Sequence, residues 1–168
     1  MRPTVYLTGF MGTGKSVVGR ALASRLRRPF VDLDAAIERA SGADVASLFE
    51  KRGEAAFRRL ERRALQRTAR RGGLVVALGG GALLDKRNLA LVEKTGILVK
   101  LSCSRRELVR RLKPSRSSRP LLAGGTLDKR VERLLIARRG AHGDAKISVS
   151  TTRRSSAAAA ALIARRLS

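Results

Sequence analysis

The stretch VYLTGFMGTGKSVVG, residues 5–19, decides how the rest of the chain is read. Within it, GFMGTGKS satisfies the pattern G-x-x-x-x-G-K-S/T and ends on Lys15 and Ser16. Glycines let the backbone curl so that successive N–H groups point at one anion, and the lysine adds a point charge. An apolar run precedes the loop and a helical pattern follows it, so the stretch predicts a loop that holds the phosphates of a nucleoside triphosphate.

Charge is the most unusual feature of the composition. The 168 residues include 37 Lys and Arg against 13 Asp and Glu, a net charge of +24. Such a field attracts polyanions, so nucleic acid has to be considered as a partner. The basic residues are spread over almost every helix-like segment, and aromatic residues make up only 3% of the chain. That spread favours a general compositional bias of solvated faces over a dedicated groove, and the few aromatic side chains do not supply stacking platforms, so we do not expect nucleic acid as the partner.

The chain length favours one domain over residues 1–168. No apolar stretch approaches the roughly 18 residues of a membrane span, and residues 1–4 lead directly into a strand-like run without a leader pattern. We therefore expect a cytoplasmic protein, monomeric by default for its architecture. The single cysteine, Cys103, excludes an internal disulfide and is predicted to be a buried thiol.

Strand-like and helix-like segments alternate along the chain. Predicted strands cover residues 4–9, 29–34, 73–81, 97–101 and 145–151, and predicted helices cover residues 15–26, 44–53, 54–71, 104–112 and 155–167. Near-continuous apolar strands separated by amphipathic helices predict an α/β fold with a parallel sheet covered on both faces. Residues 113–125, KPSRSSRPLLAGG, lack periodicity, and a loop of that length is typical of a lid.

Three features beyond the loop carry chemistry. Asp32 and Asp34 end the second predicted strand, where i, i+2 spacing places both carboxylates on one face, although a helix cap is the alternative. Arg58 stands four residues after Glu54 and three before Glu61, which orients its guanidinium unless the three form ordinary surface pairs. Gly79, Gly80 and Gly81 follow a buried run, where the backbone can approach a small ligand or simply turn.

Taken together, the motifs GFMGTGKS, DLD, GEAAFRRLE, LGGGA and RPLLAG resemble shikimate kinase in order and near spacing over essentially the whole chain. The resemblance implies a three-layer α/β/α P-loop kinase fold with a five-stranded parallel sheet and a mobile lid. It implies transfer of the ATP γ-phosphoryl group to the 3-hydroxyl of shikimate, with Mg²⁺, in aromatic amino-acid biosynthesis.

The resemblance also implies residue roles. Lys15 would contact the phosphates, Ser16 would ligate Mg²⁺ with Asp32 nearby, and Asp34 would bind the attacking hydroxyl. The remaining nucleotide contacts would come from Gly12, Thr13, Gly14, Val17, the lid residue Arg119 and Arg154. Shikimate would be held by Arg58 at its carboxylate, by Gly79, Gly80 and Gly81 at its ring hydroxyls, and by a second arginine, Arg138.

The match weakens before the last strand. The family pattern R-x-P-x-Y is replaced by ARRGAHGDA, so Arg138 or Arg139 is the second carboxylate ligand, and His142 stands in place of the tyrosine. Either Arg110 or Arg111 would lie over the adenine. Two other functions stay open: a related kinase acting on another hydroxy acid such as gluconate, and a catalytically weak relative that binds polyanions.

Overall fold

The computed structural model describes residues 2–115, 120–138, 140 and 144–168. The strands are β1 (Thr4–Thr8), β2 (Phe30–Asp32), β3 (Val75–Ala77), β4 (Gly96–Ser102) and β5 (Ile147–Ser150). The helices are α1 (Lys15–Leu26), α2 (Leu33–Ser41), α3 (Val45–Arg71), α4 (Lys86–Thr95), α5 (Arg105–Leu112), α6 (Leu127–Ala137) and α7 (Ser156–Leu167).

In this part of the chain the strands form one five-stranded sheet in the order β2-β3-β1-β4-β5, with every pair parallel. Side chains alternate across it: Val5 and Leu7 of β1 join the core beneath α1 and α7, whereas Tyr6 joins the core beneath α3 and α4. Burial on both faces explains why the central strands β1 and β3 read as continuous apolar runs, whereas the edge strand β5 alternates buried and exposed residues. The predicted α/β/α fold is confirmed.

Predicted and observed helices agree where the helical pattern of the sequence is strong. Helix α1 occupies the predicted residues, and α3 spans both predicted helices with a break at Gly53, whose backbone has φ 75° and ψ 166°. Helices α2, α4 and α6 have no counterpart among the predicted helices. Cys103 is only partly buried, so the prediction of a buried thiol is wrong: it follows the last residue of β4, beyond the covered part of the strand.

Several predicted features fall outside the described residues. These are Arg139, His142 and four positions of the predicted lid, residues 116–119, which include Arg119. On either side of that gap the chain forms short 3₁₀ turns, Lys113–Ser115 and Pro120–Leu122. Leu122 packs with Phe10 and with Leu108 of α5, which ties this segment to the phosphate loop. No helix among the described residues has the length and apolar character to cross a bilayer.

Candidate active site

The phosphate loop, residues 9–16, connects β1 to α1 at the carboxyl edge of the sheet. Gly12 and Gly14 have φ of 81° and 91°, a backbone conformation that favours glycine and that brings the chain around in a tight curve. Thr13 closes the curve by donating its backbone N–H (3.2 Å) and its hydroxyl (2.7 Å) to the carbonyl of Phe10. The N-terminus of α1 therefore faces the interior of the loop, as an anion site requires.

Two side chains of the loop already point where phosphate chemistry needs them. Lys15 donates from Nζ to the carbonyls of Gly9 (2.8 Å) and Phe10 (3.1 Å), so its ammonium lies across the loop. The hydroxyl of Ser16 donates to Oδ2 of Asp32 at 2.5 Å. A hydroxyl and a carboxylate are thus adjacent, and both are hard oxygen ligands for a metal ion.

Asp32 and Asp34 do not lie on one strand face, so that prediction is wrong. Strand β2 ends at Asp32, whose side chain caps α2 by accepting from the N–H of Ala35 at 3.3 Å. Asp34 stands in the first turn of α2, and both carboxylates line the same cavity. Burial raises the pKa of Asp34, and the charge of Asp32 adds to the effect. A carboxylate with a raised pKa is a better proton acceptor at neutral pH.

The cavity, of about 1190 Å³, extends from the phosphate loop to the glycine turn, residues 79–81. Its loop end is lined by the phosphate loop with Val17, Arg111, Arg154 and Ser156, and its turn end by Asp34, Phe57, Arg58, Glu61 and Arg138. One continuous space therefore joins an anion-binding loop to a second compartment with cationic and acidic side chains.

Arg58 is held in one orientation by carboxylates, as the helical spacing predicts. Its guanidinium lies 2.8 Å from Glu61 and 3.1 Å from Glu54. The rings of Phe57 and Phe49 lie 5.5 and 6.0 Å from it. Glu61 is fully buried, and burial raises its pKa despite the neighbouring Arg58. A buried carboxylate of this kind fixes the guanidinium in place at the wall of the cavity.

At Gly79 and Gly81 the glycine turn leaves no room for a Cβ atom. A Cβ at Gly79 would stand 2.5 Å from Oε1 of Glu61 and 2.9 Å from Oδ1 of Asp34, and one at Gly81 would stand 2.7 Å from Arg58. Next to Gly80, Arg138 donates to the carbonyl of that glycine at 3.1 Å. Burial and the charge of Arg58 lower the pKa of Arg138, and no carboxylate among the described residues pairs with it.

At the loop end, Arg111 and not Arg110 faces the cavity. Arg111 donates to the carbonyl of Gly12 (3.3 Å) and to the hydroxyl (3.2 Å) and carbonyl (2.8 Å) of Thr151. Arg110 is exposed and pairs with Glu107 on the outside of α5. Arg154 lines the same end and donates to the carbonyl of Ser150 at 2.6 Å.

Sequence reasoning missed Thr151, which links three segments of the loop end. Its buried hydroxyl donates to the carbonyl of Thr13 at 2.9 Å and lies 3.2 Å from that of Ser102. It follows β5, so the rule that ligands gather at the carboxyl ends of parallel strands is the signal that points to it.

An anion loop at a helix N-terminus, a hydroxyl-carboxylate pair and a second compartment reached through one cavity define a P-loop kinase that acts on a small molecule. Residues 11–168 match the model of the family described as Shikimate kinase. The chain belongs to the shikimate kinase family.

Individual relatives agree. A shikimate kinase from Geobacter sulfurreducens is 42% identical over 151 residues, 90% of this chain and 83% of that protein. One from Gloeobacter violaceus is 44% identical over 147 residues, 88% of this chain and 82% of that protein. The structure of the Acinetobacter baumannii shikimate kinase in complex with shikimate superimposes with a TM-score of 0.93 at 34% identity, covering 99% of this chain and 93% of that one.

Proposed function

We propose that this chain transfers the γ-phosphoryl group of ATP to the 3-hydroxyl of shikimate with the residue roles given below. Family membership supports the reaction. The observation that supports shikimate as the acceptor is that Arg58 and Arg138 both lie against the glycine turn. A Cβ built at Gly81 would be 2.7 Å from a guanidinium nitrogen of Arg58, and one built at Gly80 would be 3.2 Å from a guanidinium nitrogen of Arg138. Two neighbouring cations beside unsubstituted backbone suit a small ring that carries a carboxylate and hydroxyls.

The loop end binds the nucleotide. Backbone N–H groups of Gly12, Gly14, Ser16 and Val17 surround the phosphates at the N-terminus of α1, and Thr13 borders them while its own N–H stays on the carbonyl of Phe10. Lys15 exchanges its bonds to the loop carbonyls for bonds to the phosphates. Arg111 and Arg154, each held by backbone carbonyls, border the nucleoside.

The residues at the loop end fit Mg²⁺. Ser16 and Asp32 supply hard oxygen atoms 2.5 Å apart, the donor type that Mg²⁺ prefers, and a site with few protein ligands leaves the remaining positions to water and phosphate. When bound there, Mg²⁺ would supply positive charge that offsets the negative charge of the triphosphate. Ser16 would hold it directly, and Asp32 would accept hydrogen bonds near it.

The turn end binds shikimate and prepares its hydroxyl. Arg58 and Arg138 hold the carboxylate, and the backbone of Gly79, Gly80 and Gly81 contacts the ring hydroxyls. Asp34 accepts the hydrogen bond of the attacking hydroxyl, and burial favours this role because it raises the pKa of the carboxyl group.

In the transfer step the acceptor oxygen bonds to the γ-phosphorus while the bond from phosphorus to the bridging oxygen of ADP breaks. The hydroxyl proton passes to Asp34. Lys15 and the lid arginine, Arg119, balance the charge on the phosphoryl group. The lid, residues 113–125, closes over the cavity and excludes water that would otherwise hydrolyse ATP.

We also propose that the enzyme is a cytoplasmic monomer and that it does not bind nucleic acid in spite of its net charge of +24. Light scattering on the purified protein tests the monomer. Nucleic-acid affinity that falls steeply with salt and persists in Lys15→Ala would contradict the second statement.

The test of the function is a coupled ADP-release assay with Mg-ATP and shikimate, gluconate or no acceptor. We expect release to depend on shikimate, and kcat/KM for shikimate to fall about 100-fold in Arg58→Ala. Arg59→Ala, which removes the exposed arginine next to it on α3, is the matched control and should change little. Nucleotide binding without shikimate-dependent release from the unmodified protein would overturn the proposal.

A further inference from the structure

The carbonyls of four consecutive residues, Gly79 to Ala82, each accept a hydrogen bond. The donors, in the same order, are Ala82 N (3.1 Å), Arg138 Nη1 (3.1 Å), Leu84 N (3.1 Å) and Asn88 Nδ2 (2.9 Å). Two of these bonds are local to the turn, and one comes from a cavity arginine. The fourth comes from Asn88 on α4, which is not among the residues that line the cavity.

Occupied carbonyls determine what the turn offers a ligand. No hydrogen bond within the described residues uses the N–H of Gly80 or of Gly81. The acceptors of the turn are engaged, these donors are available, and all three glycines line the cavity. An oxygen-rich acceptor molecule needs such donors.

Asn88 is an unusual residue for its position. Its side chain is 2% exposed, and its Oδ1 has no hydrogen-bond partner within the described residues. A buried amide oxygen without a partner costs about 1–3 kcal/mol, so an apolar side chain would suit the surrounding core better. Asn88 does, however, donate a hydrogen bond to the carbonyl of the buried Ala82. Ala82 is the first residue of the 3₁₀ turn Ala82–Leu84, which directly follows the glycines.

We propose that Asn88 is a positioning residue for the acceptor: by holding the carbonyl of Ala82, it keeps the N–H groups of Gly80 and Gly81 directed at bound shikimate. This inference rests on the proposed function. It assigns to α4 a share in shikimate recognition and none in nucleotide recognition, because the phosphate loop and Thr151 belong to other segments.

Two variants test it by steady-state kinetics. Asn88→Asp keeps the shape but replaces the donor with an oxygen that faces the Ala82 carbonyl, and Asn88→Ala removes the side chain. We expect KM for shikimate to rise about tenfold in both, with KM for ATP within about twofold. Thr68→Val is the matched control, since it deletes a buried hydroxyl that donates to the carbonyl of Leu65 (2.7 Å) away from the cavity.

Hydrogen-deuterium exchange of residues 79–84 gives a second readout that needs no turnover. Exchange at Gly80 and Gly81 in the presence of shikimate should be faster in the Asn88 variants than in Thr68→Val. If Asn88→Asp and Asn88→Ala do not fold, Asn88→Leu, an apolar side chain of similar size without a donor, is measured in their place, with the same rise in KM for shikimate expected. Unchanged KM for shikimate, or equal rises in both KM values, would overturn the inference. Absence of shikimate-dependent turnover in the unmodified protein would overturn the proposed function instead.

Discussion

Arg58 donates to two carboxylates of very different exposure: Glu61, 2.8 Å away, is 0% exposed at its side chain, and Glu54, 3.1 Å away, is 65% exposed. An ion pair in water contributes little, whereas removal of one buried partner leaves the other charge uncompensated. Glu61 is therefore the residue that orients Arg58.

Neutralising Glu61 should weaken acceptor binding. We expect Glu61→Gln to lower kcat/KM for shikimate about 10- to 100-fold, because Arg58 loses its buried anchor while KM for ATP stays the same. Glu54→Gln removes the exposed partner of the same guanidinium and should stay within about threefold. Equal losses in the two variants would show that exposure does not matter here.

The raised pKa of Glu61 makes a prediction about stability. Because burial raises this pKa above its unfolded value of 4.5, the folded state takes up the proton first as pH falls. The free energy of unfolding of the unmodified protein should thus rise relative to that of Glu61→Gln as pH is lowered from neutral toward 4.5, and the difference should level off below that. Urea unfolding of both proteins at several pH values measures it, since the other acids are common to both. If the free energy of unfolding of the unmodified protein instead falls relative to that of Glu61→Gln over this interval, the burial of the Glu61 charge is contradicted.

Neighbouring glycines in the turn should tolerate a methyl group unequally. Gly79→Ala places its Cβ 2.5 Å from Glu61 and 2.9 Å from Asp34, two groups that the proposed mechanism needs, so we expect shikimate turnover to fall more than about 100-fold. In Gly80→Ala the nearest atom, at 3.2 Å, is the end of the flexible Arg138 side chain, and the loss should stay below about tenfold. Steady-state kinetics on folded variants decide; a reversed order would contradict the geometry of the turn.

Adjacent arginines on α5 should differ in their effect on the nucleotide. Both donate to Glu107, and hydrogen bonds from Arg110 and Arg111 lower the pKa of that carboxyl to about 2. Only Arg111 also reaches Gly12 and Thr151, so Arg111→Ala should raise KM for ATP about tenfold. Arg110→Ala loses the same acidic partner and should change KM for ATP less than twofold. If the Arg110 variant is the more impaired, the assignment of Arg111 to the nucleotide is wrong.

Local patterns account for what the sequence could predict. The phosphate loop and α1 follow from glycine spacing, and the pairing of Arg58 follows from helical periodicity. The same periodicity distinguishes Arg111 from Arg110, because Leu108 and Leu112 mark the buried face of α5 and Arg111 lies closer to it. The i, i+2 spacing of Asp32 and Asp34 is compatible with both a strand and a helix cap, so the spacing alone does not show that α2 begins directly after Asp32.

Contacts between distant segments explain what the sequence could not predict. Thr151 and Thr13 are 138 positions apart, and Asn88 reaches Ala82 only because a 3₁₀ turn and the start of α4 fold back on each other. Buried asparagines and threonines carry no periodic signal, so their partners are known only after the chain is folded.

The order of the sheet has an evolutionary consequence. Strands β2 and β3 lie on one side of β1, and β4 and β5 on the other. Asp34, Arg58 and the glycine turn occur within one uninterrupted third of the chain, and Arg111, Thr151 and Arg154 come later. Selection for a new acceptor can therefore act on that single segment while the machinery for the phosphoryl donor is inherited unchanged. Arg138 lies in the later part of the chain but contacts the acceptor compartment, so a change of acceptor would require a separate substitution at this residue.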